Sequence, residues 1–357
     1  MVKVKARFLK EGLQLMAPFK DESVVILGGT GSLGKVLVER LIQGKNGSPK
    51  SVTVFSRDED KQHDLRLKYL GNSAETDSAI YKSAKEKLRF IIGDVRNPLS
   101  LKKALEGSSV VIYAAAMKQV PSCEYFPSEA VYTNVLGAEN ALNAAHEAGV
   151  KTFVGVSTDK AVAPVNVLGM TKALQERLVI QSNLRKGSPR AVAVRYGNVL
   201  SSRGSVIPLF KDQISKGAPL TITDSEMTRF LLTLDDAVDM IVDAIVYGDR
   251  GDILVPSAPS AKMIDLARIL SGKEDPEIVF IGRRPGEKIH ELLVSDEEGL
   301  RTERLGEKCF RIKPALPELL TDLNPDLLLN RELSSADFLM SIDELRKFLT
   351  TRGVMAV

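Results

Sequence analysis

Three residues that can hold or transfer protons stand side by side in the stretch STDKAVAPVNVLGMTK, where Thr158, Asp159 and Lys160 follow an apolar run. A carboxyl group and an amine at neighbouring positions are suited to general acid–base chemistry. The stretch ends in Lys172, whose ammonium group would lower nearby pKa values. Leu168, four residues before Lys172, has no proton to exchange. We therefore expect acid–base chemistry from residues 159 and 160, against the simpler alternative that they form a surface ion pair.

The elements that must position these residues form a regular alternation of apolar runs and helical stretches. Strands are predicted at 23–29, 51–56, 88–94, 108–116, 151–157 and 190–199, with helices among others at 31–44, 57–70, 126–150 and 166–183. Such alternation implies right-handed crossovers and a parallel sheet covered on both faces. The fold class is therefore α/β, a Rossmann-type doubly wound parallel sheet. The weaker alternation after Asn198 indicates a smaller C-terminal α/β lobe.

A glycine-rich turn connects the first predicted strand to the first predicted helix. Gly28, Gly31 and Gly34 match G-x-x-G-x-x-G, which allows a tight turn and a close approach to a pyrophosphate. The helix N-terminus then stabilises the phosphate charge. Because strand, turn and helix come in the required order, the pattern predicts a dinucleotide site rather than a packing turn. The candidate contacts of this turn are Gly28, Thr30, Gly31, Ser32, Leu33 and Gly34.

The end of the second strand indicates which dinucleotide binds. Ser56 and Arg57 stand there, with Lys61 one helical turn later. A hydroxyl and a guanidinium group suit a 2′-phosphate, which favours NADP. NAD sites usually carry an acidic residue at this point, so Asp58 keeps NAD open, and a solvated helix start is the alternative for Arg57. The candidates for contact with the adenine, after the third strand, are Asp94 and Val95.

Composition excludes several classes of function. The 357 residues include 49 basic and 46 acidic ones, a balance too even to indicate nucleic-acid binding. Cys123 and Cys309 are too few and too distant for a disulfide framework or a zinc site, which favours a cytoplasmic protein, and three scattered histidines offer no metal cluster. No apolar run reaches the ~18–20 residues of a transmembrane segment, and the N-terminus lacks the apolar core of a secretory signal.

Eight stretches of the sequence together resemble one known family. The chain is similar to the extended short-chain dehydrogenases/reductases. More closely, it resembles the inverting UDP-N-acetylglucosamine 4,6-dehydratases of bacterial capsule, flagellin-glycan and O-antigen pathways. Many members have Tyr at the position of Leu168, and a capsule-forming branch has Met. The matching stretches, between about residues 20 and 295, are GGTGSLGK, FSRDEDK, GDVRN, AAAMKQVPSCEYFPSEAVYTNVLGAEN, STDKAVAPVN, RYGNVLSSRGSVIPLF, PLTITDSEMTRFLLTLDDAV and RPGEKIHE.

The resemblance implies a reaction without net redox change. NADP+ takes a hydride from C4 of the sugar, water is lost across C5 and C6, and the hydride returns to C6 while C5 is reprotonated on the opposite face. NADP would stay tightly bound and be regenerated at each turnover. Lys160 would be the base at C5, Asp159 the acid for the C6 hydroxyl, and Thr158 the partner of the C4 hydroxyl. A lysine base needs a lowered pKa, which we expect from burial and from Lys172 or Lys118 nearby.

The residue types leave the acceptor of the C4 hydroxyl proton open between Asp159, Lys160 and a water held by Thr158. Lys172 is expected to hold the nicotinamide ribose. The segment after the fourth strand supplies further cofactor candidates, Ala114, Ala115 and Lys118.

Arginines beyond the sheet edge suit the diphosphate of a sugar nucleotide, since guanidinium groups bind phosphates bidentately. By resemblance, Arg284 meets the diphosphate, Glu287 meets the uridine ribose, and residues 219–224 border the uracil. The expected substrate contacts are Lys118, Asn198, Arg203, Ser205, Val206, Thr221, Thr223, Arg229, Arg284 and Glu287.

We expect four parts in the chain. These are an N-terminal extension at 1–20, an NADP-binding domain at 21–198, a mainly substrate-binding lobe at 199–316, and a tail at 317–357 with a final helix at 341–353. The resemblance implies a homo-oligomer, a hexamer or smaller, that binds a UDP-sugar. Besides a scaffold subunit that needs a partner enzyme, two other functions stay open. One is a UDP-sugar 4-epimerase or a dehydratase of other regiochemistry. The other is a catalytically silent NADP-binding regulator, which Leu168 favours.

Overall fold

The computed structural model describes residues 17–70, 87–200 and 205–355 of the chain. Its strands are β1 Ser23–Leu27, β2 Ser51–Ser56, β3 Leu88–Ile92, β4 Val110–Tyr113, β5 Thr152–Thr158, β6 Arg190–Tyr196, β7 Asn198–Val199, β8 Leu220–Ile222, β9 Thr228–Leu232, β10 Ile253–Pro256, β11 Ser260–Lys262, β12 Ile278–Phe280, β13 Leu292–Val294, β14 Thr302–Leu305, β15 Cys309–Ile312 and β16 Leu333–Ser334.

Its α-helices are α1 Ser32–Ile42, α2 Glu59–Leu70, α3 Pro98–Leu105, α4 Val120–Tyr125, α5 Pro127–Ala130, α6 Gly137–Glu147, α7 Val167–Ser182, α8 Val206–Ser215, α9 Leu234–Tyr247, α10 Met263–Ser271, α11 Asp296–Gly299 and α12 Ile342–Thr351. A π-helical segment, Val131–Leu136, joins α5 to α6, and 3₁₀ turns lie at Asp159–Ala161 and Pro325–Leu327.

One large sheet organises the described residues. Its strand order is β14-β15-β10-β6-β5-β4-β1-β2-β3. The strands from β10 to β3 are parallel, and β15 and β14 add an antiparallel edge. This order, with helical crossovers, is the doubly wound Rossmann arrangement, which confirms the predicted fold class. The sheet also draws β10, β14 and β15 from residues that the sequence analysis assigns to the smaller lobe.

The central strands of this sheet are apolar along almost their whole length. In β1, Ile26 and Leu27 are fully buried, as are Val111 and Ile112 in β4. Side chains of a strand point alternately to the two faces, so both faces must be covered. The helices that connect the parallel strands provide this cover, and the main core lies between them and the sheet.

The helix predicted at 126–150 contains a change of helical type that the prediction missed. It consists of α5, the π-helical segment and α6. Tyr113 on β4 donates from its hydroxyl to the carbonyl of Thr133 at 2.7 Å, inside the π-helical segment. Fully buried Asn134 bonds the main-chain N–H and carbonyl of Met117 at 2.9 and 3.1 Å. Partners outside the helix thus hold the widened turn, and periodicity cannot reveal them.

The strand predicted at 190–199 is divided in two. β6 ends at Tyr196, and β7 pairs with β9 in a separate three-stranded sheet. Gly197 lies at the break, where a Cβ atom would come 2.6 Å from the Cβ of Phe230. The chain therefore leaves the large sheet at Gly197 and enters the smaller lobe.

The smaller lobe has a core of its own, which includes Phe210 on α8, Leu266 on α10 and Leu345 on α12. The predicted final helix is α12, and Ser341 begins it with a capping box to Glu344. The predicted N-terminal extension lies mostly outside the described residues. Over the parts of the chain that the structure describes, no helix combines the length and apolar character needed to cross a membrane.

Candidate active site

Strand β5 brings the three central polar residues to one place. It ends at Thr158, and Asp159 and Lys160 begin the 3₁₀ turn that follows. The Thr158 hydroxyl donates to Asp159 Oδ1 at 2.8 Å, and Lys160 Nζ donates to the same oxygen at 3.1 Å. Asp159 is fully buried, and its Oδ2 has no hydrogen-bond partner among the described residues. Asp159 and Lys160 are therefore not a surface ion pair, and a buried carboxyl group with a free oxygen marks a candidate reactive site.

Glu291 is a fourth residue of this polar cluster, and no sequence pattern assigned it a role. It directly precedes β13, and its Oε1 lies 3.1 Å from Lys160 Nζ and 3.8 Å from Arg229 Nε. Its side chain is 4% exposed. The one available signal was its place at the end of the stretch RPGEKIHE. Lys160 thus lies between two carboxyl groups from different parts of the chain.

These contacts set the protonation of the cluster. Burial raises the pKa of Asp159, and Glu291 adds to the rise while Lys160 opposes it. Burial alone would lower the pKa of Lys160, but Asp159 and Glu291 outweigh it and raise that pKa. Although burial raises the pKa of Glu291, Lys160 and Arg229 lower it below its usual range. The expectation of a lowered pKa for Lys160 is therefore wrong, because the two carboxyl groups prevail over burial.

Lys172 lies on α7 and points into the interior. Its Nζ donates to the carbonyl of Val156 at 2.5 Å and to Gln175 Oε1 at 2.6 Å. Burial lowers the pKa of Lys172 to about 8, which Glu176 partly offsets. Lys172 lies behind the end of β5, and its contact with a nicotinamide ribose stays a prediction.

Leu168, one turn earlier on α7, lies in an apolar environment. Its side chain is buried with Cys123 and Ala130, and Met117 and Val120 border this cluster. Cys123 is a free thiol whose pKa burial raises, which agrees with a packing role and not with a nucleophile. The position of Leu168 therefore supplies no proton, and acid–base chemistry rests on the cluster around Asp159.

The glycine-rich turn has the geometry that a pyrophosphate requires. Gly28 has a φ of +92°, and a Cβ atom there would lie 2.7 Å from the main-chain nitrogen of Ala115. Gly31 is the N-cap of α1, and no side chain caps the N–H groups of the first turn from Ser32. These N–H groups can bind a phosphate, so the turn fits NAD or NADP. Val95, which was predicted to contact the adenine, is buried in the main core. Of the other predicted contacts, Thr30 lies in this turn, Leu33 and Gly34 lie in the first turn of α1, and Ala114 follows β4.

The residues predicted to meet the 2′-phosphate differ in exposure. Ser56 is buried, whereas the side chain of Arg57 is 59% exposed, with Nη1 3.8 Å from Asp94 Oδ2. Lys61, a predicted phosphate ligand, forms an ion pair with Asp58. Asp58 is the acidic residue for which NAD remained an alternative to NADP. Arg57 is therefore the most accessible of these candidate phosphate ligands.

The segment 284–288 contacts the beginning of α7. Asn166, the N-cap of α7, donates from Nδ2 to the carbonyl of Gly286 at 2.8 Å. Arg284 is exposed, and its main-chain N–H donates to Glu287 Oε2 at 3.3 Å. The structure thus brings the predicted diphosphate and ribose residues to the helix that carries Lys172.

Arg229, a predicted ligand of the diphosphate, is buried. It is 8% exposed, and its Nη1 donates to the carbonyls of Thr228 and Ile289 at 2.7 and 3.0 Å. Its contact with a diphosphate stays a prediction. The remaining predicted residues are Lys118 after β4, Asn198 in β7, Ser205 before α8, Val206 in α8, Thr221 in β8, Thr223 after β8, and Arg203 outside the described residues. Within the described ranges, no group of three or more His, Cys, Asp or Glu could hold a metal ion.

The parallel sheet, the glycine-rich turn and the polar cluster after β5 define a Rossmann-type extended short-chain dehydrogenase/reductase. Residues 24–314 match the family model described as polysaccharide biosynthesis protein, and the chain belongs to that family.

Individual relatives agree with this assignment. The UDP-glucose 4-epimerase of Rickettsia canadensis (strain McKiel) is 46% identical over 295 residues, which cover 81% of this chain and 82% of that protein. The structure of Pen from Bacillus thuringiensis is 35% identical with a TM-score of 0.79, covering 93% of this chain and 99% of Pen. The dTDP-glucose 4,6-dehydratase DesIV from Streptomyces venezuelae, solved with NAD and TYD bound, is 22% identical. Its TM-score is 0.63, with 75% of this chain and 86% of DesIV covered, and this likeness concerns the fold alone.

Proposed function

We propose that this protein is a C5-inverting UDP-N-acetylglucosamine 4,6-dehydratase, a lyase that makes a UDP-4-keto-6-deoxy sugar for surface polysaccharides or glycans. One observation carries the proposal: Thr158 and Lys160 both bond Oδ1 of buried Asp159 at the end of β5. Ligands of doubly wound sheets bind at this edge. Burial raises the pKa of Asp159, so this carboxyl group takes up a proton more readily than an exposed one and can then give it to a leaving hydroxyl group.

Thr158, Asp159 and Lys160 each have one task in this proposal. The Thr158 hydroxyl bonds the C4 hydroxyl of the sugar and orients the ring, and a water held by Thr158 takes the proton of that hydroxyl as the hydride leaves C4. Lys160, once it has lost its own proton, removes the proton from C5. Asp159 gives a proton to the C6 hydroxyl as it leaves. The Asp159 carboxyl group and the Lys160 amine are hydrogen-bonded to each other, so they are close enough to act on two adjacent carbons of the sugar. Loss of water across C5 and C6 requires such a pair.

The cofactor in this proposal is NADP, held by the glycine-rich turn and by Arg57 at the end of β2. When bound, NADP+ would supply reversible hydride transfer to and from the sugar, so that no cofactor would be consumed. The exposed guanidinium group of Arg57 suits the 2′-phosphate. The UDP portion of the substrate would lie against the segment 284–288, with Arg284 at the diphosphate and Glu287 at the ribose.

A UDP-sugar 4-epimerase is the second candidate, because the Rickettsia canadensis relative with 46% identity carries that name. An epimerase would invert C4 and would lose no water. We favour the dehydratase for two reasons. Leu168 lacks the proton that epimerases of this scaffold usually obtain at that position, and inversion at C4 has no need of a separate acid for a leaving hydroxyl group.

Mass spectrometry of UDP-N-acetylglucosamine after incubation with the protein and NADP+ separates the candidates. Loss of one water supports the dehydratase, and an unchanged mass with a changed sugar supports the epimerase. In heavy water, the dehydratase should place deuterium at C5 with inverted configuration. If neither the wild type nor Leu168→Tyr alters the sugar while NADP still binds, the protein is a catalytically silent NADP-binding protein.

We further infer a cytoplasmic homo-oligomer, a hexamer or smaller. Cys123 and Cys309 are free thiols, which suits a reducing compartment. Large apolar side chains near α4 are exposed, with Tyr125 at 82%, Phe126 at 60% and Tyr132 at 48%. Large exposed apolar patches often mediate protein contacts. Light scattering of the purified protein tests the inference, and a monomer would contradict it.

A further inference from the structure

We propose that Glu291 is a positioning residue for Lys160. Glu291 fixes the place of the Lys160 amine and stabilises its protonated form. The inference rests on the proposed function, in which Lys160 acts on the C5 proton of the sugar. Glu291 acts through Lys160 and needs no contact of its own with the substrate.

The contact joins two parts of the fold that are distant along the chain. Lys160 lies in the 3₁₀ turn after β5, and Glu291 directly precedes β13. Lys160 Nζ lies 3.1 Å from Glu291 Oε1 and 3.1 Å from Asp159 Oδ1. An amine between two carboxylate oxygens cannot turn away from either without leaving a buried charge unpaired, which is costly. Glu291 therefore fixes the position of Lys160 as much as the turn itself does.

Glu291 is held firmly enough to position another residue. Its main-chain N–H donates to Ser335 Oγ at 2.9 Å, and its carbonyl accepts from the N–H of Ser335 at 2.8 Å. On the side-chain end, Arg229 Nε lies 3.8 Å from Oε1. Oε2 is buried without a hydrogen-bond partner among the described residues, so the carboxylate depends on Lys160 and Arg229 for its stabilisation.

The charges around Lys160 predict how its titration responds to a loss of Glu291. Asp159 faces it from its own turn, Glu291 from the segment before β13, Arg229 from β9 and Lys288 from the segment 284–288. Burial has the largest effect and lowers the pKa of Lys160. Asp159 and Glu291 raise this pKa, and Arg229 lowers it. Removal of the Glu291 charge should therefore lower this pKa, by about 1 to 3 units for a close opposite charge.

Competitive labelling measures this titration without any need for turnover. The side chain of Lys160 is 22% exposed, so a small reagent such as acetic anhydride can reach it. We would label the NADP-loaded protein over a pH series and quantify the peptide that contains Lys160 by mass spectrometry. The wild-type amine should titrate above the ordinary lysine value of about 10.4. Glu291→Gln should lower the midpoint by about 1 to 3 units, and Glu291→Asp should restore part of the difference. Exposed Glu274 provides the control Glu274→Gln, with the same change of charge away from the site.

The pH dependence of kcat is the second readout. Because the free amine is the reactive form, kcat for water loss should rise with pH, and in Glu291→Gln this rise should begin at lower pH with little change in KM. A residue with a merely structural role would lower kcat or stability at every pH and leave the midpoint in place.

Two results would overturn the proposal. One is a wild-type Lys160 that titrates at or below the ordinary lysine value, which decides the matter even if the variants do not fold. The other is a folded Glu291→Gln with an unchanged labelling midpoint. A wild type that removes no water from UDP-N-acetylglucosamine would overturn the proposed function alone, because the labelling result is independent of it.

Discussion

Asn166 donates from its side-chain amide to the main-chain carbonyl of Gly286 at 2.8 Å. The same side chain accepts from the N–H of Gly169 at 2.8 Å and thereby caps α7. One residue therefore couples the helix that carries Lys172 to the segment 284–288, which holds the predicted UDP contacts. A disturbance of this contact should weaken substrate binding more than it slows the chemical steps.

Gly286→Ala tests this coupling. Gly286 has a φ of +79°, and an added Cβ would lie 2.9 Å from the Cβ of Asn166. Strain of about 1–3 kcal/mol should displace the segment, and we expect the affinity for UDP, measured by calorimetry, to fall about tenfold. Gly282→Ala is the matched control, because Gly282 has a φ of +76° with no atom within 4 Å of the added Cβ. Equal losses in the two variants would show that the contact with Asn166 is unimportant.

Arg57→Ala should change the preference between cofactors. The Arg57 side chain is 59% exposed at the end of β2 and can pair with a 2′-phosphate. Loss of a charged hydrogen bond worth about 1.5–3 kcal/mol should weaken NADP binding at least about tenfold and leave NAD binding unchanged. Fluorescence titration with each cofactor measures this. Arg89→Ala, which removes an exposed arginine on β3, is the control, and an equal loss for NAD and NADP would contradict the assignment of NADP.

Asp159→Asn should separate the two halves of the proposed elimination. The amide keeps the shape of the side chain but cannot give an acidic proton to the C6 hydroxyl, so water loss should slow about 10²–10⁴-fold. Lys160 remains, and exchange of the C5 proton with heavy water should continue. Mass spectrometry and NMR follow the two events separately. Asp275→Asn, at an exposed position, is the control. Loss of water at the wild-type rate in Asp159→Asn would remove Asp159 from the reaction.

The buried pair of Arg195 and Glu298 predicts a dependence of stability on pH. Arg195 Nη1 and Nη2 each bond one oxygen of Glu298 at 2.8 Å, which fastens α11 to β6. Although burial raises the pKa of Glu298, Arg195 lowers it to about 2. Because this value lies below that of the unfolded chain, about 4.3, the pair stabilises the fold above that pH. This stabilisation is lost as the pH falls from there toward 2.

Glu298→Gln should therefore lower the free energy of unfolding at pH 7 by about 3 kcal/mol. The difference from the wild type should shrink as the solution is acidified below about pH 4. Urea unfolding over a pH series measures both effects. Glu297→Gln is the control, since Glu297 is 69% exposed in its pair with Arg301 and should contribute only about 0–1 kcal/mol. A pH-independent difference would contradict the argument.

Neighbouring residues were sufficient to predict much of the fold and part of the site. Strand burial and helix phase are visible in local apolar patterns, so β1 to β6, α7 and the turn at Gly28 could be predicted. Thr158, Asp159 and Lys160 are close in space because one turn of backbone joins them. The prediction failed at Gly197 and in the π-helical segment, where Phe230 and Tyr113 from other elements decide the local backbone.

The sequence by itself determined the glycine-rich turn and the neighbouring acid and base at residues 159 and 160, because local pattern and chain order are enough to place them. Only the tertiary structure decided the direction in which the pKa of Lys160 moves, because Glu291 contacts it from the second half of the chain. Lys172, which was expected to lower that pKa, bonds Val156 and Gln175. Coulomb energy depends on the distance between charges in space, 3.1 Å for Lys160 and Glu291, and not on their separation along the chain. Composition and local pattern therefore could not predict the direction in which the pKa of Lys160 moves.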